Sequence, residues 1–131
     1  MQTTQTQQKK FRFRNFKVYG EARIIVREIK NLMRKSFPKE ELFMLTSQTS
    51  RALDSIILNI AEGSARGTDK DFALFLTHSL ASLNEVVACL DIAFDNKYIS
   101  GTELEQKVKL LEGLANQLSA FRKTLLTKPT K

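Results

Sequence analysis

The sequence has little of what disulfide, metal or membrane chemistry requires. Its 131 residues include one cysteine, Cys89, which excludes an intramolecular disulfide and fits a reducing cytoplasm. The one histidine, His78, has no second His or Cys at ligand spacing, so we expect no metal and no cofactor. No run of about 18 apolar residues offers a membrane span, and the N-terminus lacks the apolar core of a signal peptide. These absences predict a cytoplasmic protein that makes no membrane contact.

Catalytic motifs are equally scarce. In the segment EGSARG, Gly63 and Gly67 end a predicted helix, whereas the glycines of a phosphate-binding loop precede one. No serine lies in a motif with a histidine that would activate it. Glu62 and Glu85 are candidates for a carboxylate pair between helices, but such residues more commonly belong to a hydrogen-bonded network. We therefore expect no catalytic residues and a non-enzymatic protein; an enzyme that uses Glu62 or Glu85 is the alternative.

Two prolines and five glycines leave long uninterrupted segments, and their periodicity is helical. Apolar residues recur every three or four positions in four segments, which predicts four amphipathic helices. Asn15 is the expected N-cap of the first helix, and Pro38 the expected first residue of the second. The predicted helices span about 16–35, 38–66, 68–94 and 101–126.

The connections between these helices are short. Thr68 with Asp71, and Ser100 with Glu103, form capping-box patterns at the starts of the third and fourth helices. Helices joined by short links pack side by side in opposite directions, so the sequence predicts an all-α, antiparallel up-down-up-down four-helix bundle. The predicted organisation is a polar and basic N-terminal lead, the bundle, and a tail, at residues 1–12, 13–126 and 127–131.

The positive charge lies mostly at one end of the chain. The net charge is +7, but residues 1–35 contain ten basic and two acidic side chains, and the remaining residues have a balance of −1. A local excess of this kind is expected of a surface that contacts RNA or DNA phosphates without sequence preference. A solvated face that only aids solubility is the alternative. The candidate nucleic-acid-binding residues are Lys9, Lys10, Arg12, Arg14, Lys17, Arg23, Arg27, Lys30, Arg34 and Lys35.

Two phenylalanines alternate with arginines just before the first helix. Phe11 and Phe13 are candidates to stack on unpaired bases, beside Arg12 and Arg14. The alternative for both rings is to pack against the start of the helix.

A polar stripe runs along the second helix beside its most aliphatic side. Its members recur at steps of seven, four, three and four, which places Gln48, Ser55, Asn59, Glu62 and Arg66 on one side of the helix. Apolar residues flank the stripe, and the third helix has a surplus apolar row formed by Leu74, Ala81, Ala88 and Ile92. We therefore expect the second helix to be covered nearly all round and copies of the chain to pack on each other, with the stripe fixing their register. A monomer with a half-exposed stripe is the alternative.

Two residues near the end of this helix have specific expectations. Glu62 and Arg66, four apart with the acid first, are spaced for an intrahelical ion pair. Gly63 indicates either a close backbone approach or fraying of the helix end.

These motifs resemble the four-helix-bundle family named for proteins encoded in intervening sequences of bacterial 23S ribosomal RNA genes. That family reads Phe-Pro-x-Glu-Glu, then Gln-x-x-Arg-Ala-x-x-Ser-Ile running into Asn-Ile-Ala-Glu-Gly, and this chain has the same pattern over 37–63. The resemblance covers roughly 13–125. Its polar and structural residues here are Gln48, Arg51, Ser55, Asn59, Glu62, Gly63 and Arg66.

The resemblance implies a left-handed antiparallel bundle, a ring-like homo-oligomer that is a pentamer, and no catalytic residues. Similar proteins are the accessory variability proteins of diversity-generating retroelements, basic pentameric barrels that bind nucleic acid and a reverse transcriptase, so a reverse transcriptase is a candidate protein partner. The chain departs from the family pattern at Ser50, His78 and Ser82, where relatives often have Arg, Gly and Glu. An oligomeric scaffold for protein interactions, with no nucleic-acid role, is the rival interpretation.

Overall fold

The computed structural model describes residues 10–127 and contains four α-helices. They are α1 (Lys17–Ser36), α2 (Leu45–Ser64), α3 (Asp69–Asp95) and α4 (Gly101–Thr127), with short 3-10 helices at Arg12–Asn15 and Lys39–Glu41. No strand occurs between residues 10 and 127, so the all-α prediction is confirmed. Lys9, the rest of the lead before it, and residues 128–131 of the predicted tail lie outside the described residues.

The four helices form a bundle around one core. Each helix contacts the next along the chain, and α4 also contacts α1, which closes the arrangement. The residues that the helical periodicity places on one side of each helix supply the core, and burying each large aliphatic side chain contributes about 1.5–3 kcal/mol. Fully buried members include Ile29, Leu53, Ile56, Ile60, Leu76, Leu90, Leu111 and Leu118.

The start of α2 differs from the prediction. Pro38 adopts an extended conformation before the 3-10 helix, and the α-helix begins only at Leu45. The carboxylate of Glu41 explains the later start, because its Oε1 accepts the backbone N–H of Leu45 at 3.3 Å. Its Oε2 accepts the hydroxyl of Tyr98 at 2.7 Å, and this hydrogen bond raises the pKa of Tyr98. Leu42, which lies within the predicted range of the second helix, is exposed in the turn.

The end of α2 also differs from the prediction. The helix ends at Ser64, whose carbonyl accepts a hydrogen bond from Arg12 Nη2 at 3.0 Å. Arg66 therefore lies beyond the helix, with its guanidinium 5.0 Å from the ring centroid of Phe75. The predicted intrahelical pair between Glu62 and Arg66 is wrong, because only one of the two residues is helical.

The predicted capping residues of α3 and α4 are confirmed, and the predicted N-cap of α1 is wrong. Thr68 Oγ1 accepts the backbone N–H of Asp71 at 3.1 Å. The backbone N–H of Ser100 donates to Glu103 Oε1 at 2.9 Å, and that of Glu103 donates to Ser100 Oγ at 3.1 Å. Asn15 is not the N-cap of α1, since it belongs to the preceding 3-10 helix and Phe16 takes the cap position.

The composition of α3 is unusual for a helix of a small bundle. No run of apolar residues long enough to span a membrane was expected. By length and composition, however, α3 is apolar enough to cross one, with a mean hydropathy of 1.4 over an 18-residue window. A core helix of a soluble protein has the same composition, and α3 contacts both α2 and α4. Only 39% of that window is buried, so part of its apolar surface remains uncovered within one chain.

The cap of α4 predicts a pH dependence of stability. The hydrogen bond from the Ser100 backbone N–H, with help from the charge of Lys35, holds the pKa of Glu103 below its ordinary value. A lowered pKa in the folded state stabilises the fold above the unfolded-state value of about 4.3, and this contribution is lost as the pH falls through the folded-state value.

Glu103→Gln should therefore flatten the loss of thermal stability between neutral pH and about pH 3, measured by circular dichroism melts across that range. Glu105→Gln removes a charge from the same helix outside the cap and serves as the control. Parallel curves for wild type and Glu103→Gln would contradict the role of the ionised cap.

Candidate nucleic-acid interface

Four cationic side chains form a row along the outer side of α1. Arg23, Arg27, Lys30 and Arg34 recur at steps of four, three and four, which aligns them along about 16 Å of helix. The opposite side of α1 is buried, from Val18 to Met33. We call these four residues the basic row.

One member of the basic row is tied to α2. Lys30 Nζ lies 2.6 Å from Asp54 Oδ1, and the lysine is only half exposed. This ion pair links α1 to α2 and partly neutralises the charge of Lys30.

The three arginines of the row face solvent. Arg23 lies over the ring of Tyr19 at 5.6 Å, and Arg34 donates to the side-chain oxygen of Asn31 at 3.2 Å. A guanidinium has five N–H donors, so these contacts orient the side chains and leave donors for an anion. Arg27 is exposed between them.

Arg12 contacts other residues of the same chain. Its guanidinium donates to the Ser64 carbonyl and lies 5.6 Å from the ring of Phe16 and 5.7 Å from that of Phe72. These contacts attach the segment before α1 to the end of α2. Arg12 thus has an anchoring role, and because its side chain is also exposed the phosphate contact there stays a prediction.

The other predicted basic residues that the structure describes are exposed; they are Lys10, Arg14, Lys17 and Lys35. Phe13 is half-buried, with its ring 5.0 Å from that of Tyr19, so it packs on α1. Phe11 remains 56% exposed, with its ring centroid 6.5 Å from that of Phe13 in an edge-to-face arrangement. Lys10, Arg14 and Lys17 are close in sequence to these phenylalanines, and Lys35 lies near the far end of α1.

Part of the polar stripe of α2, Ser55 and Asn59, lies in the seam between α2 and α3. Ser82 Oγ donates to Ser55 Oγ at 2.8 Å, and Asn59 Nδ2 donates to the same Oγ at 3.0 Å and to the Ser55 carbonyl at 2.8 Å. Ser79 Oγ donates to the carbonyl of Ile56 at 2.9 Å. Ser55 and Asn59 are half-buried, and Ser82, where relatives often have Glu, bonds through a neutral hydroxyl.

The seam continues toward the start of α2, where Gln48 Nε2 donates to Glu85 Oε2 at 3.3 Å. Gln48 and Glu62 are 14 residues apart on α2, or about 21 Å along a helix. The suggested carboxylate pair of Glu62 and Glu85 is therefore wrong. In the part of the chain that is described, no group of three His, Cys, Asp or Glu side chains is placed to hold a metal ion.

Gly63 lies where α3 packs closely against α2. A Cβ at this position would be 2.6 Å from the Cβ of Phe75 and 2.8 Å from Cδ1 of Phe72. Gly63 is buried within the last turn of α2, so close approach, not fraying, accounts for the glycine.

Within a single chain the outer side of α2 is open, so the expected cover by further copies of the chain stays a prediction. Arg51 and Glu62 are exposed, and Leu58 is 62% exposed. The periodicity identified the apolar character of this side correctly, but within one chain nothing in residues 10–127 covers it. The surplus row of α3 shares this exposure, with Leu74 at 52% and Ile92 at 47%.

Two features had no clear sequence signal. Phe43 and Met44, 89% and 68% exposed, project from the turn before α2, and only the late helix start explains their position. Arg122 is half-buried beside α3, where its Nη1 donates to Thr77 Oγ1 at 3.0 Å. Its Nε is buried without a hydrogen-bond partner among the described residues.

Comparison with known proteins gives a family match over most of the chain. Residues 14–120 match the family described as 23S rRNA-intervening sequence protein. The match includes α1, α2, α3 and most of α4. No curated protein matches the chain.

The contact at Gly63 predicts a specific cost of added volume. Gly63→Ala should destabilise the fold by about 1–3 kcal/mol, because the new methyl group would displace Phe72 and Phe75. The measurement is urea unfolding followed by circular dichroism.

Gly20→Ala is the matched control, since a Cβ at this position in α1 would meet nothing within 4 Å. The control should be stabilising by about 0.5–1 kcal/mol through helix propensity. Equal effects of the two substitutions would contradict the close approach of α2 and α3.

Proposed function

The chain belongs to the 23S rRNA-intervening sequence protein family, and from this premise we propose that it is a non-enzymatic homo-oligomer that binds RNA or DNA through phosphate contacts. In this proposal the bundle is antiparallel, up-down-up-down and left-handed. Copies assemble into the pentameric ring that the family resemblance implies, in the cytoplasm of a bacterium.

The observation that carries the proposal is the exposed side of α1 and the segment before it. Arg23, Arg27 and Arg34 face solvent along one line, within a stretch of 35 residues that has a balance of +8. Cations placed this way release counterions from a phosphate backbone and need no base-specific contact. The ligand class is therefore a polyanion bound without sequence preference.

The uncovered apolar side chains support assembly. Leu58 on α2 and Leu74 and Ile92 on α3 are about half exposed or more. A second copy that covers them removes this apolar surface from water. Assembly also brings several basic rows together, so one strand can bind two or more subunits with an affinity above that of a single chain.

A second candidate function is an oligomeric scaffold for protein interactions, with a reverse transcriptase as one candidate partner. The specific observation that favours it is the apolar turn before α2. Leu42, Phe43 and Met44 are 54%, 89% and 68% exposed in succession, and such a surface suits a protein partner better than a phosphate. This candidate needs no affinity for nucleic acid.

The experiment that separates the two candidates is a titration of a labelled RNA followed by fluorescence anisotropy at several salt concentrations. We expect binding at low salt that weakens with a log–log slope of about −0.7 to −0.9 per phosphate neutralised. The double variant Arg23→Gln/Arg27→Gln should weaken binding and reduce the magnitude of the slope by about 1 to 2.

The matched control is Lys109→Gln/Lys123→Gln, which removes the same charge from exposed positions on α4. It should have the smaller effect on affinity and slope. Undetectable binding at low salt, an affinity indifferent to salt, or an equal loss in the control would contradict the proposal.

A further inference from the structure

A small cavity lies where α1 ends and α2 begins. Its volume is about 290 Å³, near the lower end of the range for small-molecule sites. Its apolar lining comes from Met33, Phe37, Pro38 and Leu42. Two hydroxyl side chains of the first turns of α2, Thr46 and Ser50, also line it. We call this cavity the α1–α2 pocket.

The charges around the α1–α2 pocket are positive. Lys30, Arg34 and Lys39 line it, and the first two are the last members of the basic row, so the pocket continues that row. Lys30 is paired with Asp54, which leaves Arg34 and Lys39, both exposed, as the cations available to a ligand. The apolar lining is thus next to two available positive charges.

No acidic residue is part of the lining of the α1–α2 pocket. Both carboxylate oxygens of Glu41 are engaged elsewhere, one by the backbone of Leu45 and one by the hydroxyl of Tyr98. Glu40 is exposed on the 3-10 helix and is not part of the lining. A ligand with a flat apolar body and a negative group therefore matches the pocket.

We infer that the α1–α2 pocket binds one unpaired nucleotide of a single-stranded nucleic acid, an inference that rests on the proposed function. The base packs against the apolar lining that includes Phe37, while Arg34 and Lys39 contact the flanking phosphates. The hydroxyls of Thr46 and Ser50 are placed for a polar edge of the base. A duplex conceals the faces of its bases, so the inference requires a preference for single strands.

An acidic peptide fits the same charges less well. Its carboxylates would satisfy Arg34 and Lys39, but would leave the apolar lining of Phe37 without a flat partner. Competition by polyglutamate therefore distinguishes the two kinds of ligand.

The test uses Ser50→Tyr, which fills the α1–α2 pocket without altering any charge. The probes are a short labelled deoxythymidine strand and a DNA duplex of the same length, titrated into the full chain at low salt. Wild type should bind the strand at least about fivefold more tightly than the duplex, and Ser50→Tyr should remove that preference. Its affinity for the duplex should not change, because every cation of the basic row remains.

The control is Ser119→Tyr, which adds the same ring to an exposed position of α4. It should leave the strand preference intact. Leu42→Ser, at an exposed position of the lining, is a second variant that should weaken strand binding even if Ser50→Tyr does not fold.

Three results would overturn the inference while the proposed function survives. The first is salt-dependent binding with equal affinity for strand and duplex. The second is a strand preference that persists in the pocket variants, and the third is competition by polyglutamate as effective as that by the unlabelled strand. Absence of binding to both probes at low salt would instead remove the proposed function, and the inference with it.

Discussion

The close approach of α2 and α3 at Gly63 is the constraint on which the rest of the molecule depends. The space left by the missing side chain is filled by Phe72 and Phe75 of α3. Beyond this point two hydrogen bonds join the helices, from Ser79 to the carbonyl of Ile56 and from Ser82 to Ser55. The seam therefore has one register, and that register determines which sides of both helices remain open.

The hydrogen bonds of the seam have a consequence for assembly. Ser55, Asn59 and Ser82 satisfy one another within one chain, so this part of the stripe does not require a second chain as partner. What one chain leaves uncovered is apolar, as the exposure of Leu58 and Ile92 shows. In our proposal the contact between copies is therefore hydrophobic, and the polar seam orients it only indirectly.

The basic row and the open apolar side lie next to each other on the bundle. Asp54, which is paired with Lys30, precedes Leu58 on α2 by about one turn. Copies that associate through the apolar side would thus bring their basic rows close together. This arrangement gives a single account of the local charge excess and of the surplus apolar surface.

Local signals in the sequence predicted most of the fold. The buried rows and the capping boxes at Thr68 and Ser100 depend on residues within a few positions of each other, and the structure has them as expected. The start of α2 could not be predicted in the same way. Leucines at helical spacing also occur before Leu45, in the turn where the carboxylate of Glu41 caps the helix. That cap is supported by Tyr98, which is 57 residues away.

The site was predicted less completely, because its contacts also join residues that are far apart in the sequence. Periodicity shows which residues share one side of a helix, but not what covers that side. The charge pattern gave Arg12 and Lys30 the same role as Arg27, whereas Arg12 binds a carbonyl 52 residues away and Lys30 is paired with α2. The α1–α2 pocket joins residues from two helices and the turn between them, and no spacing rule identifies such a set.

The most direct test of the account is the mass of the purified protein in solution, measured by light scattering coupled to size-exclusion chromatography. If copies cover the apolar side formed by α2 and α3, a single species with several times the mass of one chain should elute. A species with the mass of one chain would contradict the account, since Leu58, Leu74 and Ile92 would then be exposed to water in the protein as it exists in solution.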